Sequence, residues 1–324
     1  MNKIYVFVSF LFAGVLCGLL LVSCGRQEPV KRNPVVGILN PNPGSRAITL
    51  GFMEGLKELG YFEGDNITFH EAQCNKVCDI DAALQGILAK QPDLIFTVTT
   101  PATRKAQAVT QSKNIFLVFA MNDPVGSGIV NSLTSPGENL TGVQISGSVP
   151  KSLEWLLEIV PETKKILVPI RHDTKAAKQS LAELQEIAKV LGVQVVEQEV
   201  KDQDELDRLL AALPDDIDAL YLLHSILISS NAGRIVQAAQ RKKLPTVTAL
   251  PVGDQGVLVA FSHDHFNVGK QASRLAYIAL REEAAGEIPV EIAEFFLTVN
   301  LQTAATLDLD IPDGILLKSD RIIR

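Results

Sequence analysis

Thr99-Thr100-Pro101-Ala102-Thr103 joins three hydroxyls to a helix start and directly follows the apolar run Leu94-Ile95-Phe96-Thr97-Val98. Thr100 fits an N-cap and Pro101 the first helical position, which needs no amide hydrogen. Free amides in that turn, together with the hydroxyls of Thr99, Thr100 and Thr103, make a seat for a carboxylate. A plain helix cap would use the same residues without any ligand. Asn122-Asp123-Pro124-Val125-Gly126 follows the next apolar run. Pro124 biases Asp123 toward an extended backbone, which either aims its carboxylate at a ligand amine or locks the turn. Asn40, Asn42 and Ser45, after the first apolar run, are further candidates, with ordinary loop polarity as the competing reading.

The second half offers a different set. Arg171-His172-Asp173 follows one apolar run, and Arg171 suits bidentate binding of a carboxylate. His224 and Ser225 follow another run; Asn231 can supply an amide, and Asp254 and Asp264 are acids in later loops. Four of the five histidines, His172, His224, His263 and His265, fall at strand ends beside Asp173 and Asp264. Imidazole and carboxylate suit a transition metal, or the same groups hydrogen-bond an organic acid. Separate loops need not converge, so no metal and no cofactor is assigned. Hydrolase, phosphate-loop and zinc-protease signatures are absent, and Asn40-Pro41-Asn42-Pro43-Gly44 lacks the glycine spacing for pyrophosphate. The polar residues are expected to bind rather than to catalyse.

These loops need a scaffold, and the apolar pattern predicts one twice. Short apolar strands at 35–39, 67–71, 93–98 and 115–120 alternate with helices at 81–90 and 103–111 and with an earlier helix bearing Ile48, Phe52, Leu56 and Leu59. After Pro161 the order returns. Strands are expected at 165–170, 193–200, 218–223 and 245–249, and helices at 176–191, 204–213 and around 235–241. Fully apolar strands alternating with helical periods imply an α/β fold with mostly parallel sheets covered on both faces. Lys57-Glu58-Leu59-Gly60-Tyr61 and Lys189-Val190-Leu191-Gly192-Val193 mark the same corner in each copy. A strand at 256–261, a helix at 268–283 and a strand at 292–299 then take the chain back and forth. The expected lobes are residues 34–145 plus about 263–290, and 146–262 plus about 291–324, joined by a multi-crossing hinge. Ligands of open parallel sheets bind beyond the carboxyl ends of the strands, so two facing lobes would share one cleft.

Six segments in order carry a resemblance. They are Gly55-Leu56-Lys57-Glu58-Leu59-Gly60-Tyr61, Thr99-Thr100-Pro101-Ala102, Asp123-Pro124-Val125-Gly126, Gly137-Glu138-Asn139-Leu140-Thr141-Gly142-Val143, Gly269-Lys270-Gln271-Ala272 and Val299-Asn300-Leu301-Gln302-Thr303-Ala304. From about Pro34 onward the chain resembles the substrate-binding lipoproteins of ABC transporters that include the tryptophan and tyrosine binders, with the type I periplasmic binding protein fold. The resemblance implies capture of a small polar solute by hinge closure and delivery to an ABC permease, or, in a sensory relative, to a signalling receptor. It departs at the second lobe. The amino-acid binders carry an aromatic-asparagine element where this chain has Arg171-His172-Asp173, and an Asp-Asn type pair where it has His224-Ser225. The missing acid weighs against an α-amino ligand and leaves an organic carboxylate open.

The amino terminus adds location. Lys3 and the uncharged apolar run 4–22 lead to Leu21-Val22-Ser23-Cys24, the pattern of a signal peptide (1–23) cleaved before a lipidated Cys24. A membrane helix is the alternative for a run of this length. Residues 24–33 read as a polar linker. Cleavage leaves 301 of 324 residues and takes the net charge from −7 to −8, since Lys3 is the one charge lost. An acidic surface argues against nucleic acid, and a monomer is expected. Of the four cysteines, Cys74 and Cys78 remain for a local disulfide, with free thiols as the alternative. The expected place of work is extracytoplasmic, lipid-anchored to the cell membrane or on its periplasmic face.

Overall fold

The computed structural model describes residues 33–72, 79–137, 139–146, 148–172, 174–223, 225–282 and 287–324. Cys24, Cys74, Cys78, Asp173 and His224 lie outside the described residues. Two sheets organise the body of Pro34–Arg324. The first holds β1 (Val35–Leu39), β2 (Thr68–Glu71), β3 (Leu94–Val98), β4 (Phe116–Met121), β5 (Leu140–Gln144) and β11 (Glu291–Ile292). Its order is β11-β5-β4-β3-β1-β2 and every pair is parallel. The second holds β6 (Lys165–Ile170), β7 (Gln194–Glu199), β8 (Ala219–Leu222), β9 (Thr246–Thr248), β10 (Val259–His263), β12 (Phe295–Asn300) and β13 (Arg321–Ile323). Its order is β13-β12-β10-β9-β8-β6-β7, and only β10 with β12 is antiparallel.

The central strands are apolar on both faces because each face meets helices, whereas the edge strands β2, β7, β11 and β13 are partly or largely exposed. In the first sheet, Val36, Ile38, Leu94, Phe96, Val118 and Ala120 point to α1 (Arg46–Glu58) and α9 (His265–Glu282). The alternate residues Leu39, Ile95, Leu117 and Phe119 meet α2 (Ile80–Leu88) and α3 (Thr100–Thr110). Period-two side-chain alternation makes both cores from one set of strands. The second sheet repeats the plan. Ile166, Val168 and Tyr221 face α4 (Val149–Ile159) and α5 (Lys175–Leu191). Leu167, Leu220 and Leu222 face α6 (Gln203–Ala211) and α8 (Ala232–Arg241).

The repeated corners have a shared physical basis. Gly60 and Gly192 take φ of 92° and 72°, a region that disfavours side chains. There the Tyr61 amide donates to Leu56 O (2.9 Å) and the Val193 amide to Ala188 O (2.8 Å), closing each helix. At the strand starts, Asp93 accepts from the Val35 amide and Asp218 from the Lys164 and Lys165 amides, each at 2.8 Å.

Helix α9 returns to the first sheet and lies against α1 at backbone contact. A Cβ on Gly51 would stand 1.9 Å from the Phe266 carbonyl oxygen, and one on Gly269 would stand 2.1 Å from that of Ile48. The return strand differs from its expected limits. The late apolar run splits into β11, in the first sheet, and β12, in the second, so Glu291 and Ile292 stay with the first lobe. Elements that the apolar pattern does not predict include β5, α4, β13 and the short helices Leu301–Thr306 and Asp313–Leu316. Gly142 interrupts β5, and a Cβ there would fall 2.3 Å from the Phe119 carbonyl oxygen.

The chain passes between the sheets at 145–148, 264 and 293–294. Each passage leaves the carboxyl end of a parallel strand: β5, β10 or β11. The hinge and the carboxyl ends of both sheets therefore share one seam.

Candidate functional site

At the carboxyl end of β3 the backbone makes an unusual turn. Thr99 has φ 83° and ψ 149°, a region entered almost only by glycine. It is the residue that precedes α3, one position earlier than the cap expected at Thr100, with Pro101 in the first turn. The Thr99 hydroxyl makes no cap bond, is buried and has no hydrogen-bond partner among the described residues. Thr103 is fully buried; its hydroxyl donates to Thr99 O (2.9 Å) and meets Thr97 Oγ1 (2.9 Å). Thr103 thus supports the turn from within, while Thr100 is partly exposed at its surface.

The facing lobe has a counterpart. Ser225 follows β8, is 5% exposed and precedes α7 (Ile226–Ser230) without capping it. Its Oγ is likewise buried without a partner among the described residues. Beside it Ile226 stands 80% exposed. A buried hydroxyl left unpaired costs about 1–3 kcal/mol; Trp155 Nε1 and Thr163 Oγ1 share that state among the described residues, and Thr99 and Ser225 differ from them by standing at the carboxyl ends of β3 and β8.

The remaining candidates divide by what already holds them. Asn40 donates to Ser45 O (3.1 Å) and Thr49 Oγ1 (3.0 Å), while Asn42 bonds Ser45 Oγ (2.9 Å) and accepts from the Gly44 amide (3.0 Å). These three side chains form a self-tied loop. Asp123 accepts from the Gly126 amide at 2.8 Å, which locks its turn, and from Gln179 Nε2 of the other lobe at 3.4 Å. Arg171 is exposed at the end of β6, and His172 pairs with Glu197 of β7. Asn231 is engaged locally, donating to Leu227 O (2.8 Å) and accepting from Arg234 (3.0 Å). Asp264 receives the Asn267 amide (2.9 Å) at the start of α9, and Asp254 is exposed.

His263 and His265 come together, ring centroids 5.0 Å apart, next to Phe295 at the hinge. His172 is instead held at β7. Among the described residues no three histidine, cysteine or acidic side chains gather as a metal site would need.

Gln179 and Glu183, one turn apart on α5, face the seam and were missed from sequence, where they read as the polar face of an amphipathic helix. Burial first, and then the nearby Asp123 charge, raise the Glu183 carboxyl above its ordinary range, with the Gln179 bond opposing them. A separate open cavity of about 410 Å³ lies on the outer flank of the first lobe, between Arg104 and Gln107 of α3 and Gly128 and Asn131. It does not include the seam residues.

Comparison with known proteins agrees with this architecture. The chain is 28% identical over 319 residues to a tyrosine-binding protein of Clostridioides difficile (strain R20291), covering 93% of this chain and 92% of that one. A conserved domain protein of Vibrio cholerae superposes with a TM-score of 0.75 at 25% identity, covering 90% of this chain and all of the other. The ligand-free, open form of a Clostridium difficile substrate binding protein with adhesive properties gives 0.74 at 25% identity, covering 90% and 99%. An ABC domain in complex with L-Trp, from Streptococcus pneumonia, gives 0.74 at 22% identity and likeness of fold, covering 90% and 100%. No helix among the described residues is long and apolar enough to cross a membrane. Two sheets meeting at a hinged seam with an unpaired hydroxyl on either side suit reversible solute capture, and the family model for ABC transporter substrate binding proteins matches residues 35–323, from β1 through β13; the chain belongs to that family of extracytoplasmic solute binders, which are not enzymes.

Proposed function

We propose that this protein is the solute-binding lipoprotein of an ABC-type importer, capturing a small amino-acid-like or organic carboxylate solute between its lobes and presenting it to a membrane permease. One observation carries the reading: Thr99 Oγ1 and Ser225 Oγ, at strand ends of the two sheets, are buried and unpaired among the described residues. A ligand oxygen or amide that bonds them recovers part of the roughly 1–3 kcal/mol that each orphan costs. The carboxylate end would sit at the amides of α3, with Thr99 and Thr100. Arg171, Ser225, and His224 and Asp173 outside the described residues, would close from the other side. Ile226 offers the ligand an apolar contact.

Closure would follow from the ligand's stronger binding to the closed form. Cys24, after cleavage of residues 1–23, would carry the lipid, and residues 24–33 the tether. Cys74 and Cys78 would form a local disulfide. The relatives that bind tyrosine or L-Trp make aromatic amino acids the first solutes to try.

Native mass spectrometry of the full chain purified without refolding should reveal a retained small carboxylate. Calorimetry should then give heat with that compound or with L-tyrosine or L-tryptophan, weakened by Ser225→Ala. Absence of a retained solute together with no heat from any amino acid or organic acid would refute the reading.

A further inference from the structure

We propose that Gln179 is a clasp between the two lobes, joining Asp123 of the first lobe to Glu183 of the second, and that this clasp makes lobe closure sensitive to pH through Glu183. The inference rests on the hinge-closure reading above for the motion of the lobes, and adds what holds them and what controls that hold.

The geometry is direct. Helix α5 belongs to the core of the second sheet through Leu181, Leu184 and Ala188. From its polar face Gln179 Nε2 donates to Glu183 Oε1 at 3.2 Å on the same helix and to Asp123 Oδ2 at 3.4 Å across the seam. Asp123 is fixed for this role by the Gly126 amide, and a Cβ on Gly126 would stand 2.0 Å from its Oδ2. One amide therefore bridges two carboxylates that belong to different lobes.

Two like charges brought together resist ionising together. Among the described residues the groups that face Glu183 are Gln179, Asp123 and the buried Tyr221 phenol of β8. Charges on neighbouring elements are engaged elsewhere: Lys151 with Glu154 and Lys318 with Glu158 around α4, and Glu197 of β7 with His172. The raised affinity of Glu183 for its proton comes first from burial and then from Asp123, and both causes weaken when the lobes part. The closed form therefore holds the proton more tightly than the open form. By linkage, closure is favoured as pH falls toward the carboxyl range and disfavoured as pH rises above it.

The test needs no solute. Spectroscopic labels on noncanonical residues replacing the exposed Lys113 and Asp204, one in each lobe, report the interlobe distance in the full chain. As the pH is lowered from the alkaline side toward the acid, the wild type should shift toward short distances. Glu183→Gln, which is fixed in the uncharged state, should lose that response. Gln179→Ala should favour long distances at every pH, and Gln179→Asn, whose shorter amide cannot span both acids, should do the same if the alanine variant folds poorly. A Glu183→Gln response equal to wild type, or unchanged distances in a folded Gln179 variant, would overturn the clasp. Failure of the solute reading would appear separately, as absent binding heat with the distance response intact.

Discussion

Thr99→Gly should make the ligand-free protein more stable while weakening its grip on solute. Thr99 occupies φ 83° and ψ 149°, and holding a β-branched residue there costs about 1–3 kcal/mol. Its unpaired buried hydroxyl costs about 1–3 kcal/mol more. Glycine removes both costs, offset by about 0.5–1 kcal/mol of backbone entropy and about 1 kcal/mol of lost methyl burial. Mid-range values leave a net gain of about 2 kcal/mol. With a melting entropy of about 2.1 cal/mol/K per residue, the folded body should melt about 3 °C higher by circular dichroism. Thr99→Ala separates the contributions, because it deletes the hydroxyl but keeps a Cβ in the strained region, and should gain less than glycine. A Thr99→Gly melt at or below wild type would refute the claim that this turn is held against its own preference.

Three other outcomes follow from the same geometry. Ser225→Ala should leave the melting temperature unchanged or slightly higher, since an orphan is removed, and a clear loss of stability would show that Ser225 is a structural group. Gly51→Ala should destabilise the first lobe by about 3 kcal/mol or more, because the new methyl meets the Phe266 carbonyl and α9 must move; denaturant titration reads this directly. Burial holds the Tyr221 phenol well above its ordinary value, with the Ser152 bond opposing it. Its stabilising contribution is therefore complete below about pH 10 and lost at higher pH as the unfolded chain ionises. Alkaline melts of Tyr221→Phe should fall less steeply than those of wild type.

The fold was legible where burial writes itself into residue type. Strands such as Leu94–Val98 and Lys165–Ile170 are covered on both sides, so their apolar runs are unmistakable, and the glycine at each helix end is demanded by a positive φ. β5 was harder to see because Thr141 and Gly142 break its apolar run, the glycine answering to a close approach in space. At the site, the residue types of 99–103 pointed to a turn at the end of β3, but not to which hydroxyl is left unpaired. That depends on the fold of β3 and β4 around it: Thr103 is consumed inside the turn, whereas Thr99 is not. Asn40, Asn42 and Asn231 showed the opposite case, polar in sequence and committed to local bonds in the fold. Gln179 and Glu183 could not be distinguished from any solvated helix face, since their partner is 56 residues away from Gln179 in the chain.

The glycine seam between α1 and α9 sets an order of assembly. Residues 46–58 cannot acquire their final cover until the segment 265–282 has been made and delivered, after five of the seven strands of the second sheet. The first lobe is thus completed late although it is synthesised first, and a fragment ending before residue 265 would leave the glycine-lined side of α1 bare. Neither half is therefore a good candidate for expression alone.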